Sequence, residues 1–327
     1  MNRRRALWSL PVVILAAVMA WTLIPTAAGA FPNAYFHMQA LGNRGVDVLA
    51  AQHLLVQAGH QVEPNGHFDA ATETAVKAFQ TEAGMDADGV VGPDTWTALA
   101  PDLKTGDENE AVKALQEQLN AKQQLSLEVN GKFDAAVEEA VRGFQDHAEI
   151  GGDGAVAEET WRNLVWHFQY PNADANNMCA QDPDGNGDAH WGTGSAVGQL
   201  QTATKSFGDN TDGGVVPLGD VSFEHGGPID GHASHQEGLD ADIWPIRTDR
   251  EQCTGGRIEW TDDEYDQDAT RKLAQAIHDA AGDKVVFILF NDPVLIEEGL
   301  TEEYANHDNH LHVRYCEFGH PNSSYAC

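Results

Sequence analysis

The sequence predicts a multidomain chain, with two all-α repeats of three helices each followed by an α+β domain on a small antiparallel sheet. Three observations predict this. The first half repeats itself at an offset of 65 residues, with apolar residues at helical spacing in each copy. All four cysteines, Cys179, Cys253, Cys316 and Cys327, lie beyond residue 170, so the second half is built differently. Within that half, His310-Leu311-His312-Val313-Arg314 alternates polar and apolar as a half-buried strand does. A length of 327 residues suits two or three folded units.

Residues 1–30 read as a signal peptide. Arg3, Arg4 and Arg5 precede an apolar stretch over 6–24, then Pro25 and Ala28-Gly29-Ala30, with cleavage expected after Ala30. An uncleaved anchor is the competing reading, because the stretch approaches the roughly 20 residues that span a bilayer. Pro11 and the small-residue triplet favour cleavage. The expected location is therefore secreted, periplasmic or cell-wall associated, with no stable membrane association after cleavage. An even number of cysteines in an exported chain reads as two disulfides. Of three pairings, Cys316 with Cys327 staples the C-terminal tail and is preferred, leaving Cys179 with Cys253. Nucleic acid is excluded as a partner, since 51 acidic residues oppose 19 basic ones, a formal net of -32.

After a linker at 31–44, the repeats occupy 45–100 and 106–166. Asn65-Gly66-His67-Phe68-Asp69 recurs as Asn130-Gly131-Lys132-Phe133-Asp134, Phe79-Gln80 as Phe144-Gln145, Asp88-Gly89 as Asp153-Gly154, and Thr95-Trp96 as Thr160-Trp161. Helix-start residues follow Phe68 and Phe133, and the Asn-Gly and Asp-Gly pairs supply turns. His53, His60, His67 and His147 are scattered without ligand spacing and read as surface or packing residues. The repeat resembles the peptidoglycan-binding domain found beside many cell-wall hydrolases, which carries G-x-F-D, F-Q, D-G-x-x-G and T-W-x-x-L. The second copy departs where Ala157 stands in place of Gly92. The resemblance implies binding to peptidoglycan; the competing reading is a spacer between membrane and C-terminal unit.

Residues 167–189 read as a second linker, rich in Asn, Asp, Pro and Gly. Within it Asp182, Asp184, Asn186 and Asp188 alternate around Gly187 as Ca²⁺ ligands do. Thr193 occupies position 12, where a bidentate Glu belongs, so a plain Asx-rich turn competes with the Ca²⁺ loop.

The remaining domain, 190–327, concentrates histidines in two segments, 231–242 and 307–312. On the strand, His310, His312 and Arg314 share one face, with Leu311 and Val313 in the core. His235 and Asp242, across a turn that Gly238 allows, add an imidazole and a carboxylate, giving a two-His, one-carboxylate set with an open position for water, suited to Zn²⁺. A satisfied polar face is the competing reading of the His-x-His pair. H-E-x-x-H is absent, so the base must come from elsewhere, and His310 or His307 is the candidate. Residues 270–281 show helical spacing, and 285–290 read as a buried strand.

Gly219-Asp220-Val221-Ser222, His225-Gly226-Gly227-Pro228, His232-Ala233-Ser234-His235-Gln236, Gly238-Leu239-Asp240-Ala241-Asp242, Asn291-Asp292-Pro293 and His307-Asp308-Asn309-His310-Leu311-His312 together resemble the penicillin-insensitive murein endopeptidases. These belong to the metallopeptidase group that includes lysostaphin and the D-Ala-D-Ala carboxypeptidases. The resemblance implies that His235, Asp242 and His312 hold zinc, that His310 and His307 act on the water and the scissile amide, and that His232 lines the site. Asp240 or Asp308 is placed to orient a ligand imidazole. The implied activity is zinc-dependent hydrolysis of peptidoglycan cross-links at the D-alanyl to diaminopimelyl bond. A carboxypeptidase, an L-alanyl-D-glutamate peptidase, or a non-catalytic wall-binding protein with a structural metal are the alternatives. With 22 acidic against 7 basic residues over 45–166, wall attachment is expected through shape and polar groups rather than charge.

Overall fold

The computed structural model describes residues 34–181 and 189–327. The expected signal peptide and the candidate Ca²⁺ segment, 182–188, fall outside the described residues. The first repeat is α1 (Val46–Gln57), α2 (Ala70–Glu82) and α3 (Pro93–Leu99); the second is α4 (Glu110–Lys122), α5 (Ala135–His147) and α6 (Glu158–Trp166).

The repeated motif is what folds each unit. Asp69 caps α2, its carboxylate accepting from the Thr72 amide at 2.8 Å, and Asp134 caps α5 through the amides of Ala136 (3.0 Å) and Val137 (3.1 Å). The F-Q glutamines, Gln80 and Gln145, are buried and clamp the following turn. Each accepts from the turn glycine, Gly89 or Gly154, at 2.9 Å, and donates to Val90 O at 2.9 Å or Ala155 O at 2.7 Å. Trp96 and Trp161 are buried, and their indole N–H groups donate to the carbonyls of His37 (3.0 Å) and Pro101 (2.8 Å) in the segment preceding each repeat.

The two repeats share one hydrophobic core, from Phe36 to Val165, because α1 packs along α4. At that seam the buried Lys122 ammonium lies 3.3 Å from Asp47 Oδ1 and donates to His167 O at 2.6 Å.

The C-terminal part holds β1 (Met178–Ala180), α7 (Gly194–Asn210), β2 (Val216–Leu218), β3 (Asp240–Ile243), α8 (Gln267–Ala281), β4 (Val285–Leu289), α9 (Pro293–Glu297) and β5 (Leu311–Tyr315). The sheet runs β1-β2-β3-β5-β4. It is antiparallel from β2 to β4, as expected, but β1 lies parallel to β2, so the sheet is mixed. The crossover through α7 is what permits the parallel pair. β1 also corrects the reading of 167–189 as linker: three of its residues join the sheet, and Cys179 within it is bonded to Cys253. The second disulfide joins Cys316 to Cys327.

β4 is an edge strand, so it is not the fully buried strand its apolar run suggests. Ile288 is buried while Val286 is 46% exposed. α8, capped by Asp266 on the Ala269 amide (3.0 Å), buries Leu273, Ala274 and Ile277 against the sheet's apolar face.

α7 meets the first repeat at a glycine contact. A Cβ on Gly198 would stand 2.4 Å from the Gly45 Cα, so only glycines allow this approach.

Candidate metal centre

The antiparallel register of β3 on β5 builds the site. Asp242 is paired with His312 and Asp240 with Arg314, so two carboxylates face an imidazole and a guanidinium across the strands. The alternate residues Ala241, Ile243, Leu311 and Val313 are buried in the core.

His235 arrives from the turn before β3. Its φ of +65° is a left-handed conformation that costs a histidine about 1–3 kcal/mol and persists only where surroundings enforce it. Here the His235 amide donates to Asp240 Oδ2 at 3.1 Å, and its Nδ1 bonds the Val221 carbonyl at 3.1 Å. Gly238, also at φ +65°, completes the turn, and a Cβ there would meet the Phe168 ring at 2.8 Å.

Three atoms converge. His235 Nε2 lies 3.2 Å from His312 Nδ1 and 3.3 Å from Asp242 Oδ1, and the last two are 2.9 Å apart. The partners behind them fix the tautomers. Val221 O takes the His235 Nδ1 proton and Asp240 Oδ1, 3.1 Å from His312 Nε2, takes that of His312, leaving both facing nitrogens with lone pairs. Two lone pairs and a carboxylate oxygen at this separation repel unless a cation lies among them. Donors at 2.0–2.2 Å around a tetrahedral zinc are about 3.3–3.6 Å apart, close to the triangle observed. The donor set therefore fits Zn²⁺, with a fourth position left for water.

The electrostatics agree. Burial alone would raise the Asp242 pKa, but His235 and His312 outweigh it and hold the carboxyl well below its ordinary range. Burial opposes charge on His312, yet Asp240 and Asp242 push its pKa up to about 9.

His310 and His307 border the same space. His310 Nε2 is 3.7 Å from Asp242 Oδ1, and the rings of His307 and His310 are 4.7 Å apart. His310 Nδ1 bonds Asn309 Oδ1 at 2.8 Å and His307 Nδ1 bonds Ala305 O at 2.9 Å, which leaves both Nε2 atoms as acceptors. Burial, with neighbouring imidazoles adding to it, lowers the His310 pKa to about 4 despite Asp242. His232 also borders the triangle, with one ligand atom within 4.8 Å of those of His235 and Asp242, and its Nε2 is 3.1 Å from Asp220 Oδ2.

Of the two acids expected to orient an imidazole of the triangle, Asp240 contacts His312 and Asp308 is engaged elsewhere. Asp240 is fully buried and also accepts from Arg314 Nε and the Tyr325 hydroxyl, each at 2.7 Å. Asp308 instead ties down the histidine loop, accepting from Asn291 Nδ2 (3.1 Å) and Trp260 Nε1 (3.2 Å). Sequence reasoning missed the Val221 carbonyl and Tyr325. Tyr325 sits inside the loop closed by Cys316–Cys327, which was the one available signal.

Elsewhere, a cleft of about 1030 Å³ opens between the first repeat, α4 and α7, lined by the polar groups of Asn65, Asn120, Gln124, Tyr170, Asn172 and Gln201.

Residues 185–293 match the family model of penicillin-insensitive murein endopeptidase, and residues 44–99 and 108–164 each match that of a putative peptidoglycan binding domain. The first match contains His232, His235, Asp240 and Asp242 and ends before His307, His310 and His312, whose place in the site rests on the geometry above. No curated protein matches the chain. Among solved structures, a peptidoglycan-binding protein from Clostridioides difficile in complex with glutamine hydroxamate is 40% identical over 19% of this chain and 39% of its own, with a TM-score of 0.19. A Burkholderia AP3 phage endolysin is 33% identical over 28% of this chain and 34% of its own, with a TM-score of 0.20. The chain thus spans between a third and two fifths of the length of these solved structures. Motifs and family models agree: a tandem pair of putative peptidoglycan binding domains precedes a domain of the penicillin-insensitive murein endopeptidase family.

Proposed function

We propose that the chain is a secreted, zinc-dependent murein endopeptidase that hydrolyses peptide cross-links of peptidoglycan, at the D-alanyl to diaminopimelyl bond. The observation that carries this reading is the triangle of His235 Nε2, His312 Nδ1 and Asp242 Oδ1, with two further acceptor histidines beside it. A structural zinc would be closed by four protein donors, whereas three donors leave room for a reacting water.

Zinc held there would supply a water of lowered pKa and polarise the scissile carbonyl. The chain's own residues do the rest. His310, neutral because buried, accepts the proton of the attacking water on Nε2 and returns it to the departing amine. His307 borders the amide and offers its Nε2 to the same proton traffic. Asp240 keeps the His312 proton on Nε2, so that Nδ1 stays a ligand.

The polar cleft suits the hydroxyl and amide groups of a glycan–peptide polymer, and tethering raises the local concentration of cross-links. Two disulfides support export, and among the described residues no helix is long and apolar enough to cross a membrane.

Digestion of purified cross-linked murein tests this. Dimeric muropeptides should fall to monomers, chelator should stop the reaction and zinc restore it, and His310→Ala should lower kcat by about 10²–10⁴. Dimers that persist with zinc supplied would sink the reading.

A further inference from the structure

His147, read from the sequence as a packing residue, does not stand alone. It ends α5, His167 follows α6, and His225 lies in the turn after Phe223, so the second repeat and the endopeptidase domain bring three imidazoles together. One ligand atom from each lies within 4.8 Å of the other two. Their ring centroids are 5.3, 5.5 and 5.7 Å apart. Glu224 adds a carboxylate, Oε1 standing 3.0 Å from His147 Nε2 and Oε2 3.9 Å from His225 Nε2.

We propose that His147, His167, His225 and Glu224 form a second divalent-metal site, of zinc type, that clasps the second repeat to the endopeptidase domain. Three imidazole nitrogens and one carboxylate oxygen are a complete tetrahedral set for such an ion. The three imidazoles cluster on their own, and Glu224, beside two of them, is the carboxylate that would close the set as a structural site requires.

His167 is the fixed corner. It is buried, and its Nδ1 bonds the Asn163 carbonyl at 2.7 Å, which assigns the proton there and leaves Nε2 with its lone pair. His147, His225 and Glu224 are about one-third exposed, so an ion can enter and their side chains have room to rotate towards ligand spacing. The turn that carries Glu224 and His225 is rigid. Gly226 N donates to Phe223 O at 2.9 Å, and a Cβ on Gly226 would collide with Gln236 O at 2.4 Å. Burial lowers the His167 pKa to about 3 and that of His225 as well, which favours in these two rings the neutral form that binds metal.

The test counts metal on the full chain. Chelator-stripped protein is titrated with Zn²⁺ alone, and bound zinc per chain is measured after gel filtration, for the parent, His225→Ala and Glu224→Gln, with circular dichroism as the folding control. The proposal expects His225→Ala to hold one zinc fewer than the parent and Glu224→Gln to bind the same number more weakly. Added zinc should raise the Tm of the parent more than that of His225→Ala. Equal zinc content in parent and His225→Ala overturns it, the cluster then being ring packing alone. The active-site reading fails separately, if His225→Ala holds no zinc at all.

Discussion

Asp240 shows how much of the candidate metal centre lies in residues outside its donor triangle. Its two oxygens accept from His312, Arg314, Tyr325 and the His235 amide, so one buried carboxylate sets a tautomer, a cross-strand pair, a tail and a strained turn. Asp240→Asn places an amide where four donors point. Zinc affinity should fall about 10–100-fold, measured by competition against a chromogenic chelator. An affinity within twofold of the parent would show that His312 is oriented by packing alone. That His235, Asp242 and His312 converge was legible in the sequence, since alternation in 310–314 and the crowding of His and Asp in 231–242 are local patterns. Tyr325 and the Val221 carbonyl were not, because each reaches the site across a contact that only the folded chain defines.

At the scale of elements, local periodicity foretold the helices of both repeats, α8 and β5, whose apolar residues recur at fixed spacing. β1 escaped it: three residues are too few to show a period, and parallel pairing with β2 depends on a crossover. The apolar run of β4 told nothing of its edge position, since order in a sheet is a tertiary property.

The segment before α1, expected to be a linker, is likewise pinned by a distant residue. His37 Nδ1 lies 2.8 Å from Glu317 Oε2 with both side chains buried. Burial opposes charge on His37, but Glu317 outweighs it and the imidazole pKa is raised above 6.5. Burial likewise opposes charge on Glu317, and His37 lowers its pKa below 4.5. The contribution of His37 is thus full below pH 6.5 and lost as pH rises through its raised pKa, while that of Glu317 is present above pH 4.5 and lost as pH falls. The pair is strongest between these values. Thermal unfolding of the parent and of His37→Gln should therefore differ most between pH 4.5 and 6.5 and converge as pH rises through the raised His37 pKa. A constant gap would remove the pair from the stability of this strap.

The whole molecule carries its acidity on both halves, 22 acidic against 7 basic residues over 45–166 and 29 against 8 from 167 onward. On an anionic wall such a protein gains nothing from long-range attraction, and the cleft, where Asn and Gln side chains stand beside Glu117, Asp174, Lys205 and Asp209, carries no net positive charge to supply it. Added salt should accordingly strengthen retention on purified wall by screening repulsion, with a Debye length near 10 Å at 0.1 M. Pull-down with sacculi across a salt series checks it, and retention that weakens with salt refutes it.

The shared core of α1 and α4 has a consequence for valency. Two binding modules on a flexible tether multiply affinity because each rebinds while its twin holds on. These two are fused through one interior and cannot reach separate strands independently, so duplication here yields no such avidity. It yields a stiff platform that can be deleted only as a pair, and removing one copy would expose the hydrophobic face of the other.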